Sequence, residues 1–394
     1  GQDLAPDPQP AKHGFSFTAR GWPTDDAMAT VTTSRCSAVR IPSAHRGTSI
    51  SPFGKLADQD GCYRPVFTHT SDSCETPVMR IVNADTPGGP DVLQVRTVPD
   101  PRADLGEVVI RVVGVGVNNA DLLQRRGLYP PPAGAPSWPG LEVSGTVVAV
   151  GPGARWTVGD RVAALLDGGG YAELVGVRGE QVLPAPLGVD LVDAAALPEA
   201  ACTVWSTFRA AGVGPGQWLL VHGGSGGIGS LAVQIGVALG ARVATTAGGP
   251  ERAARCSSLG AELVVDHRSE DFVEQIREAT AGRGADVVLD VVGGAYLGRN
   301  LEALATGGRL AVIGLQRGSR GELDLGMLLA KRATVLGTTL RSRPPHEKAE
   351  IVAQVREHVW PMVEAGTVRP VVHARLPLEE VETVKLRVAV IAWL

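Results

Sequence analysis

The sequence is short of cysteine, of long apolar runs and of net charge, and each shortage removes a class of function. Its five cysteines, Cys36, Cys62, Cys74, Cys202 and Cys256, are odd in number and include no C-x-x-C pair. That argues against a disulfide framework and against a cysteine-rich zinc site, and suits a reducing compartment, here the cytoplasm. Cys202 lies in an apolar stretch and reads as a packed thiol rather than a nucleophile. No run of about 18 apolar residues occurs, so no segment reads as a transmembrane helix. With 37 Lys and Arg against 41 Asp and Glu, the net charge of -4 leaves no electrostatic footprint for nucleic acid or an anionic membrane surface. What remains is a chain of 394 residues, 44% hydrophobic, long enough for two domains with cores of ordinary composition.

The most informative stretch is Trp218 to Ser230. The apolar run Trp218-Leu219-Leu220-Val221 leads into Gly223, Gly224, Ser225, Gly226, Gly227, Ile228 and Gly229, in which Gly224, Gly226 and Gly229 are spaced as G-x-G-x-x-G. Ile228, Leu231, Ala232, Ile235, Ala238 and Leu239 then recur at helical steps, Gly240 closes the helix, and Arg242 to Thr246 reads as the next strand. Strand, glycine turn and helix in that order form a dinucleotide-binding turn. Its glycines admit the tight turn, the approach of backbone N–H groups to a pyrophosphate, and close helix–strand packing, while the helix N-terminus favours the phosphates.

The end of the second strand bears on which dinucleotide. An NAD site wants an acid roughly 20 residues beyond the glycines, to bind the ribose 2′-hydroxyl. Here Ala247-Gly248-Gly249 stands in that place, with Arg252 just after it and no acid before Glu251. A carboxylate repels a 2′-phosphate, whereas a guanidinium offers it a bidentate donor, so the stretch reads as an NADPH site. Arg252 is either a phosphate ligand or a solvated helix residue, and Glu251 leaves NADH open.

Residues 1–78 differ from the rest, with much Ser, Thr and Pro and no sustained period. From Met28 to Leu56 the segment carries Arg35, Arg40, Arg46 and Lys55 and no acid. Residues 28–57 are therefore an organelle transit peptide, or part of a disordered extension or a mis-assigned upstream start. Met79 reads as the natural beginning, and the absence of Met at position 1 suggests an incomplete or processed end.

Short strands are expected at 79–82, 92–95, 107–117, 144–150, 161–166 and 171–175, a spacing that suggests a barrel-like β module. A helical connection, 191–211, leads into the glycine stretch. Beyond it, strands at 261–266, 286–292, 309–314 and 334–339 alternate with helices at 251–259, 270–280 and 295–304, which argues for a doubly wound parallel sheet of the α/β class. A single amphipathic helix is expected over 345–366, and 369–378 should return to the β module. The expected divisions are 1–78 (extension or targeting segment), 79–198 (β module), 199–340 (dinucleotide-binding domain) and 341–394 (return to the β module).

The run from Asn118-Asn119-Ala120-Asp121 to Tyr129-Pro130-Pro131-Pro132, with Pro139-Gly140-Leu141-Glu142, Gly159-Asp160-Arg161-Val162, Gly170-Tyr171-Ala172-Glu173 and the glycine stretch, resembles the zinc-independent medium-chain dehydrogenase/reductases. Within them the chain is similar to the NADPH:quinone oxidoreductases of the zeta-crystallin type. Gly337-Thr338-Thr339-Leu340-Arg341-Ser342-Arg343 and Arg356-Glu357-His358-Val359-Trp360 add a likeness to the p53-inducible branch. The resemblance covers residues 79–381. It implies a GroES-like β-barrel catalytic domain interrupted by a Rossmann domain, NADPH as cofactor, and a quinone or enone as small-molecule substrate. It also implies a homodimer paired through the edge of the Rossmann sheet, where Thr334 to Thr339 falls.

Zinc-containing relatives place Cys where Asn118 stands and His where Leu141 stands, and their four-cysteine loop is missing between Gly159 and Tyr171. Neither Asn nor Leu replaces a thiolate or imidazole on Zn2+, so no metal is expected. Carbonyl polarisation then falls to hydrogen-bond donors. The resemblance makes Asn119 and Tyr129 the candidates, unless Asn119 merely caps the helix begun by Ala120 and Asp121, and Tyr129 merely walls the cleft. Asp121 and Arg126 are expected to hold that helix and loop. Thr203 matches a threonine near the nicotinamide amide, and Ser225 a cofactor-facing position among Gly224, Gly226, Gly227, Ile228 and Gly229. Ala247, Gly248 and Arg252 fall at the adenosine end with His267, which stands where the family often has Tyr, and Arg268, a second cation. Gly314 completes the expected cofactor set. Val384 to Leu394 departs from the family's C-terminus, and unless a strand forms there the β module has an open edge. Two other functions stay open: an enoyl-thioester reductase of the same superfamily, and a non-catalytic NADPH-binding protein.

Overall fold

The computed structural model describes residues 77–377 and 380, and the backbone of 390–393. The expected extension or targeting segment therefore lies, through residue 76, outside the described residues. The chain opens on an antiparallel pair, β1 (Val78–Ala84) and β2 (Leu93–Pro99). β3 (Glu107–Val117) follows as the longest strand, with Val108, Ile110, Val112 and Val115 in the barrel core. After α1 (Asn119–Arg125) come β4 (Glu142–Val150), β5 (Arg161–Leu165), β6 (Leu174–Arg178) and β7 (Val182–Pro184). β3 pairs antiparallel with both β4 and β6, and β4 with β5, so apolar residues at alternate positions converge inside the barrel.

The connection expected as one helix over 191–211 forms two, α2 (Leu191–Ala194) and α3 (Pro198–Ala211). Pro198 has no N–H to continue α2 and instead takes an opening position of α3, where that donor is not needed. Next come β8 (Trp218–His222), α4 (Gly227–Ala238), β9 (Arg242–Ala247), α5 (Pro250–Ser258), β10 (Leu263–Asp266) and α6 (Phe272–Ala279). The series continues with β11 (Ala285–Asp290), α7 (Leu297–Ala303), β12 (Leu304–Val312), α8 (Leu325–Lys331) and β13 (Thr334–Gly337). Six parallel strands stand in the order β10-β9-β8-β11-β12-β13. The order reverses between β8 and β11, and ligands of doubly wound sheets lie outside the strand ends at such a point.

The helix expected over 345–366 also divides, into α9 (Pro345–His358) and α10 (Trp360–Glu364), because Pro361 cannot donate to a carbonyl of the preceding turn. α9 packs Ile351, Val352 and Val355 into the cluster that also holds α3 and α4, which ties the return segment to the dinucleotide-binding sheet. β14 (Ala374–Pro377) then leads to β15 (Val390–Trp393). β15 pairs antiparallel with β3, from Val390 opposite Val117 to Trp393 opposite Gly114, and parallel with β14. The open edge conditionally expected at the C-terminus is thus filled, by a strand whose backbone pairs although its sequence departs from the family pattern. Two smaller differences follow from packing. β12 begins at Leu304 and shortens the preceding helix, and the strand expected at 171–175 lies at β6, while Tyr171 and Ala172 are buried against β1.

Candidate functional site

The cleft has two sides, and the first is the glycine turn after β8. Gly223 adopts φ +72°, its N–H donates to Thr246 Oγ1 at 3.1 Å, and α4 begins at Gly227. A Cβ at Gly229 would lie 2.1 Å from Gly223 O, so packing alone demands glycine there. At Gly226 the nearest atom would be 3.3 Å away. Packing demands glycine less strongly at Gly226, and a bare backbone before the first helical N–H groups suits the approach of phosphates. The turn therefore fits a dinucleotide. Behind it His222 is fully buried, with Nδ1 3.2 Å from Thr246 Oγ1 and Nε2 2.7 Å from Asn300 Oδ1. Burial pulls its pKa down to about 4, so it packs as neutral imidazole between Phe272 and Tyr296.

At the end of β9, Ala247, Gly248 and Gly249 are buried. A Cβ on Gly248 would lie 3.0 Å from His267 Nε2 and 3.1 Å from Arg268 Nε, and one on Gly249 3.0 Å from Arg268 Nη1. The structure thus brings His267 and Arg268, both exposed, over the small loop. The nearby acid, Asp266, accepts from Gly249 N–H at 3.1 Å and Arg268 N–H at 3.1 Å, bonds that hold its carboxyl below the usual range. Both oxygens are thereby engaged within the protein. Arg252 is exposed in the first turn of α5, with no contact to His267 or Arg268 among the described bonds. Gly314 packs against the opposite strand end, where a Cβ would lie 2.8 Å from Val291 O. Ser225 is half-buried in the turn and Ile228 half-buried at the start of α4.

The second side is built by α1, the loop after it, and the start of α3. Asn118, not Asn119, caps α1: it forms a capping box with Asp121, whose carboxyl accepts from Asn118 N–H at 2.8 Å and Gly140 N–H at 2.9 Å. This corrects the capping alternative for Asn119, which is exposed as the first residue of α1. Asp121 holds helix and loop together as expected, but the buried arginine of α1 is Arg125, while Arg126 is exposed. Tyr129 is half-buried, with the Arg341 guanidinium 5.4 Å from its ring centre, and burial raises its hydroxyl pKa. Thr203 is half-buried on α3, its carbonyl accepting from Thr207 Oγ1 at 2.7 Å.

Between these groups lies a set of side chains with no role in the sequence reading. Glu142, 3% exposed, accepts from Asn118 Nδ2 at 2.8 Å and from the Glu199 N–H at 2.9 Å. Its carboxyl occupies the space that a side chain at Gly116 would need, a Cβ there falling 2.1 Å from Glu142 Oε1. Burial pushes Glu142 up to about 8, and burial with the charge of Glu142 pushes Glu199 to about 8. Asp121 rises to about 6, again through burial. Arg341, 4% exposed, donates from Nε to Asp167 O and from Nη2 to Gln124 Oε1, each at 2.8 Å. Lys348 pairs with Asp167 and donates to Arg341 O at 3.0 Å. These bonds join the segment after β13 to the barrel. The quoted run Pro139-Gly140-Leu141-Glu142 contained one of these residues; Glu199 offers no local pattern that would single it out.

A doubly wound sheet with a glycine turn at its switch point, beside a β-barrel cleft, defines a nicotinamide-dinucleotide-binding oxidoreductase fold. Residues 104–187 match the family model described as alcohol dehydrogenase GroES-like domain, and 227–357 the one described as zinc-binding dehydrogenase. The human quinone oxidoreductase is 32% identical over 312 residues, 77% of this chain and 92% of that protein. Among solved structures, Escherichia coli quinone oxidoreductase complexed with NADPH superposes with a TM-score of 0.71 at 27% identity, covering 80% of this chain and all of that one. The CurK enoyl reductase does so with 0.70 at 27%, covering 80% and 99%. The chain belongs to the medium-chain dehydrogenase/reductase family, as a quinone oxidoreductase homologue. Among the described residues, no helix is long and apolar enough to cross a membrane.

Proposed function

We propose that the protein is an NADPH-dependent oxidoreductase that passes hydride to quinones or related α,β-unsaturated carbonyls without a metal. The observation that carries the cofactor choice is the pair His267 and Arg268 over Gly248 and Gly249, where a ribose-binding carboxylate would otherwise stand. The substrate class rests on the kinship with quinone oxidoreductases. When bound, NADPH supplies the hydride. The backbone N–H groups of Gly227 and Ile228 would hold its pyrophosphate, Arg268 and His267 the 2′-phosphate, with Arg252 as a further cation within the first turn of α5, and Thr203 the nicotinamide amide. Asn119 and Tyr129 would donate to the acceptor oxygen. The protein's part in catalysis is then to hold donor and acceptor in register and to aim hydrogen bonds at developing negative charge.

Metal-free chemistry is supported by Asn118, whose amide is spent on α1 and Glu142, and by Leu141, which has no donor atom. A homodimer through β13 is supported by its edge position and by exposed Val335, Leu325 and Leu329 beside it. Absorbance at the NADPH band with a naphthoquinone, benzoquinone and crotonyl-CoA tests the function. Oxidation with quinones is the expected result. Preference for the thioester would favour an enoyl reductase, whose fold this chain equally shares. Tight NADPH binding with no oxidation by any acceptor would favour a non-catalytic role.

A further inference from the structure

Reduction of a quinone by hydride leaves a hydroquinone oxyanion that needs one proton, and neither Asn119 nor Tyr129 is built to lose one near neutral pH. Glu199 is differently placed. It lies one helical turn before Thr203 on α3, the residue expected at the nicotinamide, and its backbone N–H is fixed on Glu142 at 2.9 Å. Its charge also acts on the Tyr129 hydroxyl. Glu142 is buried with an N–H on each oxygen, whereas Glu199 is half-buried and, among the described residues, has no side-chain donor on it. Among the described residues, no Lys, Arg or His forms an ion pair with either carboxyl. The charge of Glu142 opposes ionisation of Glu199. Glu142, with both oxygens accepting, is the better site for the charge, and Glu199 for the proton. An independent feature marks the same place: Arg341, buried beside Tyr129, has an Nη1 with no partner, and its charge acts on Asp121, Tyr129 and Glu199.

We propose that Glu199 is the proton donor of this site, delivering its carboxyl proton to the oxygen of the reduced acceptor while Glu142 behind it keeps that proton in place between turnovers. This rests on the hydride-transfer reading above. In the step, the Glu199 O–H bond breaks, its electron pair stays on the carboxylate, and a new O–H bond forms on the acceptor oxygen. Glu199 then regains a proton from water, which its incomplete burial admits. The groups that face it are Glu142 on β4, Asp121 on α1, Arg341 after β13, Lys348 on α9, Cys202 on its own helix and Tyr129. Burial and the carboxylates hold the proton, and the two cations keep it transferable.

Two measurements on the full chain test this. The first needs neither cofactor nor substrate: infrared titration of the carboxyl C=O stretch from about pH 5 to about pH 9. A protonated carboxyl that persists through neutral pH, disappears in Glu199→Gln and titrates lower in Glu142→Gln is expected. Its absence at neutral pH in the wild type overturns the proposal. The second is the pH profile of acceptor reduction, with NADPH affinity measured alongside. Glu199→Gln should lower kcat at least about a hundredfold, the low end for a positioned acid, and flatten the alkaline limb. Glu199→Asp should restore that limb, and NADPH affinity should stay within about twofold in both variants. A Glu199→Gln enzyme with the wild-type rate and profile overturns the donor role and leaves hydride transfer intact. A wild type that reduces no acceptor, with the infrared band present, overturns hydride transfer and the donor role together.

Discussion

The side-chain amide of Asn118 donates to Glu142 Oε1 at 2.8 Å, so a residue that caps α1 also anchors a carboxyl buried under β3 and β4. That single bond connects the start of α1 to β4. It also explains why the backbone of β3 is bare at Gly116, since any side chain there would collide with the carboxyl.

The buried pair should make stability fall as pH rises. Beside a charged Glu142, Glu199 holds its proton to about 8, whereas the ordinary glutamate value is 4.5. Between those values the folded chain binds more protons than the unfolded one, so the stabilisation present below pH 4.5 is lost as pH rises through about 8. For the one proton held between those values the loss is at most about 5 kcal/mol. Denaturant midpoints should therefore drop across that window in the wild type and drop less in Glu142→Gln. An equally steep fall in the variant would refute the assignment.

Gly229→Ala should abolish dinucleotide binding or folding of the sheet, because the added methyl meets Gly223 O and the Gly224 Cα, backbone atoms that cannot rotate aside. Gly226→Ala, with its nearest neighbour at 3.3 Å, should keep a near-native circular dichroism spectrum and Tm while losing affinity for NADPH. Equal effects of the two on Tm would contradict the division between packing and ligand approach.

Arg268→Ala should weaken NADPH binding by about tenfold and leave NADH binding nearly unchanged, since a charge-assisted bond to a phosphate is what the substitution removes. The wild-type preference should also shrink as salt is raised, because Arg268 is exposed. Calorimetric titration with both cofactors at two salt concentrations checks both points.

Much of this architecture was legible in the sequence because its signals are local. β3 has the bounds expected from the sequence, where Gly106 and Asn118 flank a mostly apolar run interrupted at Arg111. The glycine turn was legible because strand, turn and helix succeed one another within a few residues. Pro198 and Pro361 were harder, since the apolar pattern runs on across each break. α8 buries none of its residues and β7 is three residues long, so neither leaves a periodic trace. The carboxyl pair and the Arg341 clamp were illegible for a different reason. Glu142 and Glu199 stand 57 positions apart, and Arg341 and Gln124 217, so only the closed fold brings them together.

The most direct measurement is the ratio of kcat/KM for NADPH and NADH with a naphthoquinone acceptor, on protein assayed for bound zinc. A ratio of at least about ten in favour of NADPH, with zinc far below one ion per chain, is the expected result. Equal use of NADH, or stoichiometric zinc required for turnover, would contradict the claim that a phosphorylated dinucleotide delivers hydride here in a metal-free cleft.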